Sequence, residues 1–283
     1  MNPGTDPQPT GLSWRQVFIQ FDDYSAAEHI GVAHIGPDMT SAEAAGLIAS
    51  WFFIRKAPCW RLRFLPFHDR TEQDATTFIH QQLTTLQEAG RVASWVETIY
   101  EPEMHAFGGA AAMDLAHHLF HSDSRHILAY LGNDRATTAG CGDRRRELSI
   151  LLCSILMRGA GQDWYEQGDI WARVVENRSL PPDTPLDRLH TMESDLRQLM
   201  TVDASPASPL MQENGPLTVL SDWAAAFAEA GQALGHLARN GTLSRGARAV
   251  LAHHVIFHWN RIGLPHTTQS ILANVAKTVV LEQ

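Results

Sequence analysis

From Trp14 to Glu103 the hydrophobic pattern alternates between period two and the helical period, and the order of those segments limits the fold more than any other feature of the chain. "WRQVFIQF" (14–21) carries the β-branched and aromatic residues that suit a strand. The Ala-rich stretch 25–46 is helical in pattern, with a break predicted at Gly36-Pro37. "IASWFFIR" (48–55) and "WRLRFLPF" (60–67) are strand-like, and the intervening "KAPC" holds a proline that fits a turn. A helix over 71–90 opens on Thr71, carries acidic residues in its first turn and stops at Gly90. A fourth strand is predicted over 91–103. Strand, helix, strand, strand, helix, strand is the order of a ferredoxin-like βαββαβ sheet, in which two split βαβ units share one sheet.

After Glu103 apolar residues recur at three- and four-residue spacing through 108–132, 144–161, 164–178 and 186–200. Three further helices are predicted over about 217–240, 245–261 and 267–281. Between the two groups, 201–216 holds three prolines and no periodicity, which marks a surface loop. The predicted architecture is α+β: a flexible leader over 1–13, then a single domain over 14–283. Its sheet-containing part is 14–103 and its mainly helical part 104–283, packed into one compact unit. A chain of 283 residues with 44% hydrophobic content supplies a core of that size.

The net charge of −9 gives no overall drive toward DNA, RNA or anionic lipid, so any basic cluster must be local. No stretch approaches the roughly 18 apolar residues of a membrane span, and the amino terminus lacks the basic start and apolar region of a secretion signal. Cys59, Cys141 and Cys153 are scattered, without zinc-type spacing. These features read as a reduced, cytoplasmic protein without a structural metal.

Chemistry-bearing residues gather in four places. Alternation in "WRLRF" puts Arg61 and Arg63 on one face and Trp60, Leu62 and Phe64 on the other. With Arg55, Lys56 and Arg70 close in sequence they suit a carboxylate or phosphate; an edge strand guarded by solvated charge is the alternative. In "AHHVIFHWNR" (252–261) His254, His258 and Arg261 recur at i, i+4 and i+7 on one helical face. Acid–base use and satisfied core histidines both fit that spacing, and a metal pair lacks a third ligand. "YEPEMHAFGG" (100–109) ends a strand with two carboxylates and a Gly-Gly turn, and Glu103 is placed to pair with an arginine of the hairpin. "GDRRRELS" (142–149) sets three arginines at a helix start, against the macrodipole, which points to an external anion or a solvated end. His117, His118 and His121 cannot share one site and read as structural; Trp51, Trp60, Trp95, Trp164, Trp171, Trp223 and Trp259 read as core.

Taken together, "WFFIRKAPCWRLR", "YEPEMHAFGG", "AAMDLAHHLFHSDS", "RRRELS" and "HHVIFHWNRIGL" resemble the thiopeptide-type bacteriocin biosynthesis family. Its members are standalone relatives of the C-terminal glutamate-elimination domain of tRNA-dependent lantibiotic dehydratases. The resemblance implies work on a ribosomally made precursor peptide with a leader. A separate glutamylating dehydratase subunit uses glutamyl-tRNA to esterify Ser or Thr, and this domain removes glutamate to leave dehydroalanine or dehydrobutyrine.

On that resemblance Arg61 and Arg63 match the basic strand, Glu103 the strand-end carboxylate, and His258 or else His254 the base. Arg55, Lys56, Arg146, Asn260 and Arg261 are the implied substrate contacts. No cofactor or metal of its own is implied. Two departures stand out: Ala106 where many dehydratases have arginine, and Ile256 where they have histidine. The scaffold also resembles thiopeptide pyridine synthases, which join two dehydroalanines in a formal aza-[4+2] cycloaddition and expel the leader. A non-catalytic, precursor-peptide-binding partner of a dehydratase is the third reading.

Overall fold

The computed structural model describes residues 13–68, 72–133, 143–182, 184–185 and 189–282. Residues 1–12 of the predicted leader, Arg70, Thr71 and Cys141 lie outside the described residues. Four strands form one sheet: β1 (Arg15–Phe21), β2 (Ile48–Lys56), β3 (Cys59–Pro66) and β4 (Val92–Ile99), in the order β2, β3, β1, β4. β1 runs antiparallel to both β3 and β4. Contacts divide the chain into two compact units. The first takes the described residues up to Trp51 together with Ala57–Tyr100; the second takes Phe52–Lys56 together with Glu101 onward.

In the first unit, α1 (Ala27–Ile30) and α2 (Gly36–Ala44) are joined by a π-helical turn, Gly31–Ile35. The predicted break at Gly36-Pro37 is therefore absent: Ile35 and Gly36 stay helical, and the wider π turn, in which the Gly36 N–H reaches the Gly31 carbonyl, carries the helix past Pro37. α3 (Glu72–Glu88) buries Ala75, Ile79, Leu83 and Leu86, one stripe at helical spacing. The sheet's apolar face pairs Val17 with Leu62 and Ile19 with Trp60 across β1 and β3, and all four are at most 2% exposed. Trp95 lies beside Ile19 in register and meets His80 of α3 at 4.6 Å, which places α3 on that face. Gln16, Phe18, Arg61, Arg63, Val96 and Thr98 occupy the opposite one.

The second unit is helical: α4 (Ala110–Leu131), α5 (Arg145–Gly159), α6 (Trp164–Asn177), α7 (Glu193–Thr201), α8 (Ser221–Arg239), α9 (Ala247–Ile262) and α10 (His266–Leu281). Residues 202–217 form turns, in agreement with the proline-rich reading. α5 and α8 cross so closely that a Cβ on Gly231 would stand 2.3 Å from the Leu156 carbonyl oxygen, so only glycine fits there. Trp171 stacks on Trp259 at 5.8 Å. Trp51, Trp60, Trp171, Trp223 and Trp259 are core residues, whereas Trp95 and Trp164 are half-buried, Trp164 lying under Arg197. Among the described residues no helix is long and apolar enough to cross a membrane.

Candidate functional site

In the sheet unit, the face opposite α3 carries a cross-strand chain of hydrogen bonds. Arg63, 3% exposed, donates from Nε to Gln16 Oε1 at 2.7 Å. Gln16 Nε2 in turn donates to Thr98 Oγ1 at 2.9 Å and to the Ile99 carbonyl at 3.1 Å. The Arg63 guanidinium also lies 4.2 Å from the centre of the Tyr100 ring, and Arg61 covers its register partner Phe18 at 4.9 Å. Strand alternation set the two arginines on one face. Gln16, which fixes the angle of Arg63, carries no motif and was invisible before the register of β1 against β3 was known.

In the helical unit, α9 presents two stripes of different character. His254, His258 and Arg261 are 2%, 1% and 1% exposed. Their anchor is Asp123 of α4, a residue the spacing argument did not single out, with 0% exposure. Asp123 accepts hydrogen bonds from His258 Nδ1 (3.0 Å to Oδ2), Arg261 Nε (2.8 Å) and Trp223 Nε1 (2.9 Å). Burial pushes the Asp123 carboxyl up, but the charges and hydrogen bonds of His258 and Arg261 outweigh it and hold the group below the usual carboxylate range. With Nδ1 donating to Asp123, His258 turns Nε2 into the interior toward a surrounding that includes Trp223 and Phe227. His254 lies against Phe107 and Phe120 at 5.0 and 5.9 Å, and neither ring nitrogen has a hydrogen-bond partner among the described residues. Burial, then the charge of Arg261 and of His253, lower its pKa to about 3, so it is neutral.

One residue back along the helix, His253, Phe257 and Asn260 form the half-buried stripe. His253 Nδ1 donates to the Ala249 carbonyl at 3.2 Å, which leaves Nε2 as an acceptor. Burial lowers its pKa; the Ala249 bond and Glu103 raise it, and Arg245 and Arg178 lower it further, with a net downward shift. Glu103 belongs to the turn that leads into α4 through Gly108 (φ 89°) and Gly109 (φ 105°), conformations that favour glycine. That turn is held by Ser244 N–H donating to the Gly108 carbonyl at 2.9 Å and by Arg245 donating to the Ala106 carbonyl at 3.4 Å. Arg178 donates to Gln269 Oε1 at 2.6 Å, and Gln269 Nε2 donates to Asn260 Oδ1 at 3.1 Å.

The other sequence candidates fall elsewhere in this unit. Arg55 sits over the left-handed C-terminal turn of α9, where a Cβ on Gly263 would stand 2.6 Å from its Nη1. Lys56 is exposed. Arg146 is exposed too and lines a cavity of about 260 Å³ with Ile150, Asp195 and Leu272. The arginine-rich start of α5 finds its anion within the chain: Asp143 Oδ1 accepts the Arg145 N–H at 3.0 Å, and its Oδ2 pairs with the Arg145 guanidinium at 2.6 Å. His117 is buried, His121 half-buried and His118 exposed, so they do share no site. Among the described residues no group of His, Cys, Asp and Glu could hold a metal ion.

The protein is α+β: two guanidiniums lie on one face of the sheet in the first unit, and in the second a half-buried histidine stands on a helix whose other side is locked to a buried aspartate. The chain belongs to the family described as lantibiotic biosynthesis dehydratase C-term, whose model matches residues 14–280. Its fold is shared by the tRNA-dependent lantibiotic dehydratase MibB from Microbispora sp. 107891, at 19% identity and a TM-score of 0.70. That match covers 99% of this chain and 29% of MibB, so the chain spans under a third of that protein's length. TsrL matches at 15% identity and a TM-score of 0.62, covering 95% of this chain and 98% of TsrL. TbtD, the pyridine synthase from thiomuracin biosynthesis, matches at 14% identity and a TM-score of 0.59 over the same shares. No curated protein matches the sequence.

Proposed function

We propose that the chain acts on a ribosomally made precursor peptide and eliminates glutamate from glutamylated Ser or Thr, leaving dehydroalanine or dehydrobutyrine. The observation that carries this reading is His253, half-buried, neutral, with Nδ1 committed to Ala249 and with Glu103, Arg245 and Arg178 as its charged neighbours. Nε2 takes the α-proton, the C–H electron pair becomes the Cα=Cβ bond, the Cβ–O ester bond breaks, and glutamate leaves as its carboxylate. Arg245 and Arg178 supply positive charge for the enolate; on the sheet unit, Arg61 and Arg63 are assigned separately to recognition of a carboxylate. Glu103 tempers the shift of His253. His254 and His258, the bases favoured by helical spacing, take framework roles: His258 and Arg261 are committed to Asp123 and His254 packs against Phe107 and Phe120, while Arg55 is assigned to the C-terminal turn of α9. Lys56, Arg146 and Asn260 remain peptide contacts.

Glutamylation, and with it glutamyl-tRNA, is assigned to a separate dehydratase subunit in the cytoplasm, and the reaction proposed here uses no cofactor of this chain. The sheet is assigned a ferredoxin-like arrangement, which the order β2, β3, β1, β4 with antiparallel β1 supports. Family membership and the likeness to MibB support the elimination reading. The test is mass spectrometry of a glutamylated precursor peptide incubated with the protein: loss of glutamic acid is expected, and an unchanged peptide overturns the assignment.

The match to TbtD supports a second reading, pyridine formation by aza-[4+2] cycloaddition. Incubation with an already dehydrated peptide decides it, since cyclisation with leader release is the result it requires. A purely peptide-binding role would leave both peptides bound and unaltered.

A further inference from the structure

A second feature of the helical unit lies outside the residues assigned to elimination. A cavity of about 620 Å³ opens among α4, the start of α5, the end of α7 and the turn leading into α8. That volume corresponds to about twenty water molecules at liquid density and falls within the usual range of ligand pockets, roughly 300–1,000 Å³. Leu148, Leu151, Leu199 and Leu220 supply apolar walls. Trp223 forms part of the floor and is stacked at 5.8 Å and 10° on His126, whose Nδ1 donates to the Ser122 carbonyl at 2.8 Å. Val219, at the rim, is 78% exposed.

Among the described residues the polar groups of the lining are few. Tyr130 accepts the Arg144 N–H at 3.2 Å and retains its own hydroxyl proton to donate. Arg144 and Glu147 bring one charge of each sign, and Asn133 brings an amide. This balance offers nothing specific to an anion such as a phosphate or to a cationic ligand; it matches the uncharged donors and acceptors of a peptide backbone. We infer that the cavity is a subsite for an uncharged, apolar segment of the peptide on which the chain acts, its side chains against Trp223 and the leucines and its backbone toward Tyr130 and Asn133. The inference rests on the peptide-substrate reading above.

The floor also shares a carboxylate with the histidine helix. Trp223 Nε1 donates to Asp123, and Asp123 holds His258 and Arg261 of α9, the helix that carries His253.

The Trp223 indole N–H reports occupancy directly. The protein labelled with ¹⁵N-tryptophan is titrated with Ac-Gly-Phe-Leu-Gly-NH₂ and, in parallel, with Ac-Gly-Ser-Ser-Gly-NH₂ and Ac-Gly-Asp-Asp-Gly-NH₂; Trp223→Phe assigns the resonance. A saturable shift with the Phe-Leu peptide, at least tenfold weaker or absent with the other two, is expected. Ala129→Trp, at an exposed position of the wall, fills the cavity without touching the core and should abolish the shift. No saturable shift, equal response to all three peptides, or the same shift in Ala129→Trp each overturns the subsite. Elimination plays no part in this readout, so the subsite and the eliminase assignment fail separately.

Discussion

The sheet unit and the helical unit each bury an arginine, and they do it with different chemistry. Arg63 is oriented by a neutral amide oxygen and an aromatic ring, Gln16 and Tyr100. Arg261 is oriented by a carboxylate and an aromatic ring, Asp123 at 2.8 Å and Phe120 at 4.3 Å. A neutral acceptor fixes the direction of a guanidinium and leaves its charge uncancelled by that contact, whereas a carboxylate fixes and neutralises together. The two contacts therefore differ in what they do to the charge they orient. Similar burial of two arginines thus says little about role; the acceptor says more.

Exchanging the acceptors tests that distinction most severely. Asp123→Asn keeps the shape but removes the compensating charge beside Arg261, and a loss of about 3–5 kcal/mol in urea unfolding is expected. Wild-type stability in that variant would show that the carboxylate is not what holds the pair. Within the helical unit, the half-buried stripe is separated from the framework stripe by His253→Gln, for which elimination should slow about 10²–10⁴-fold with the melting temperature unchanged. An equal loss in stability would return His253 to the framework.

The buried stripe also predicts an acid dependence. The folded pKa of His254 is about 3, against 6.5 for the ordinary side chain. Below pH 6.5 the unfolded chain therefore binds a proton that the folded chain refuses, so stability is full above that value and declines as pH falls toward 3. At pH 5 the loss is about 2 kcal/mol, and His254→Phe should remove it from the pH profile of unfolding; an unchanged profile would show that another group titrates. The last test belongs to the sheet unit. Gln16→Glu gives Arg63 a carboxylate but loses the Nε2 donations to Thr98 and the Ile99 carbonyl, so it should destabilise by about 1–3 kcal/mol while weakening binding of a glutamylated peptide about tenfold. Unaltered peptide affinity would separate Arg63 from anion recognition.

Local pattern carried much of this molecule. Alternation in "WRLRF" put Arg61 and Arg63 on one face because the pleat has period two whatever lies beside it. Most helix limits came within a few residues for the same reason: apolar spacing and caps are read over a few turns. The errors were of another kind. Gly36-Pro37 looked like a stop because the compensating π-helical turn has no composition of its own. On α9, spacing correctly grouped His254, His258 and Arg261, but which side of a helix meets the core depends on what packs there. Adjacent residues stand about 100° apart on an α-helix, enough to separate buried His254 from half-buried His253.

The sequence by itself determined the α+β class, the strand and helix order, the shared face of the two arginines and the family pattern, since each follows from neighbours a few residues apart. Only the tertiary structure chose the partners: Gln16 for Arg63 across 47 positions, Asp123 for Arg261 across 138 and for Trp223 across 100. No local period encodes contacts at such separations. A buried charge is stabilised or wasted according to the group that arrives from the far end of the chain.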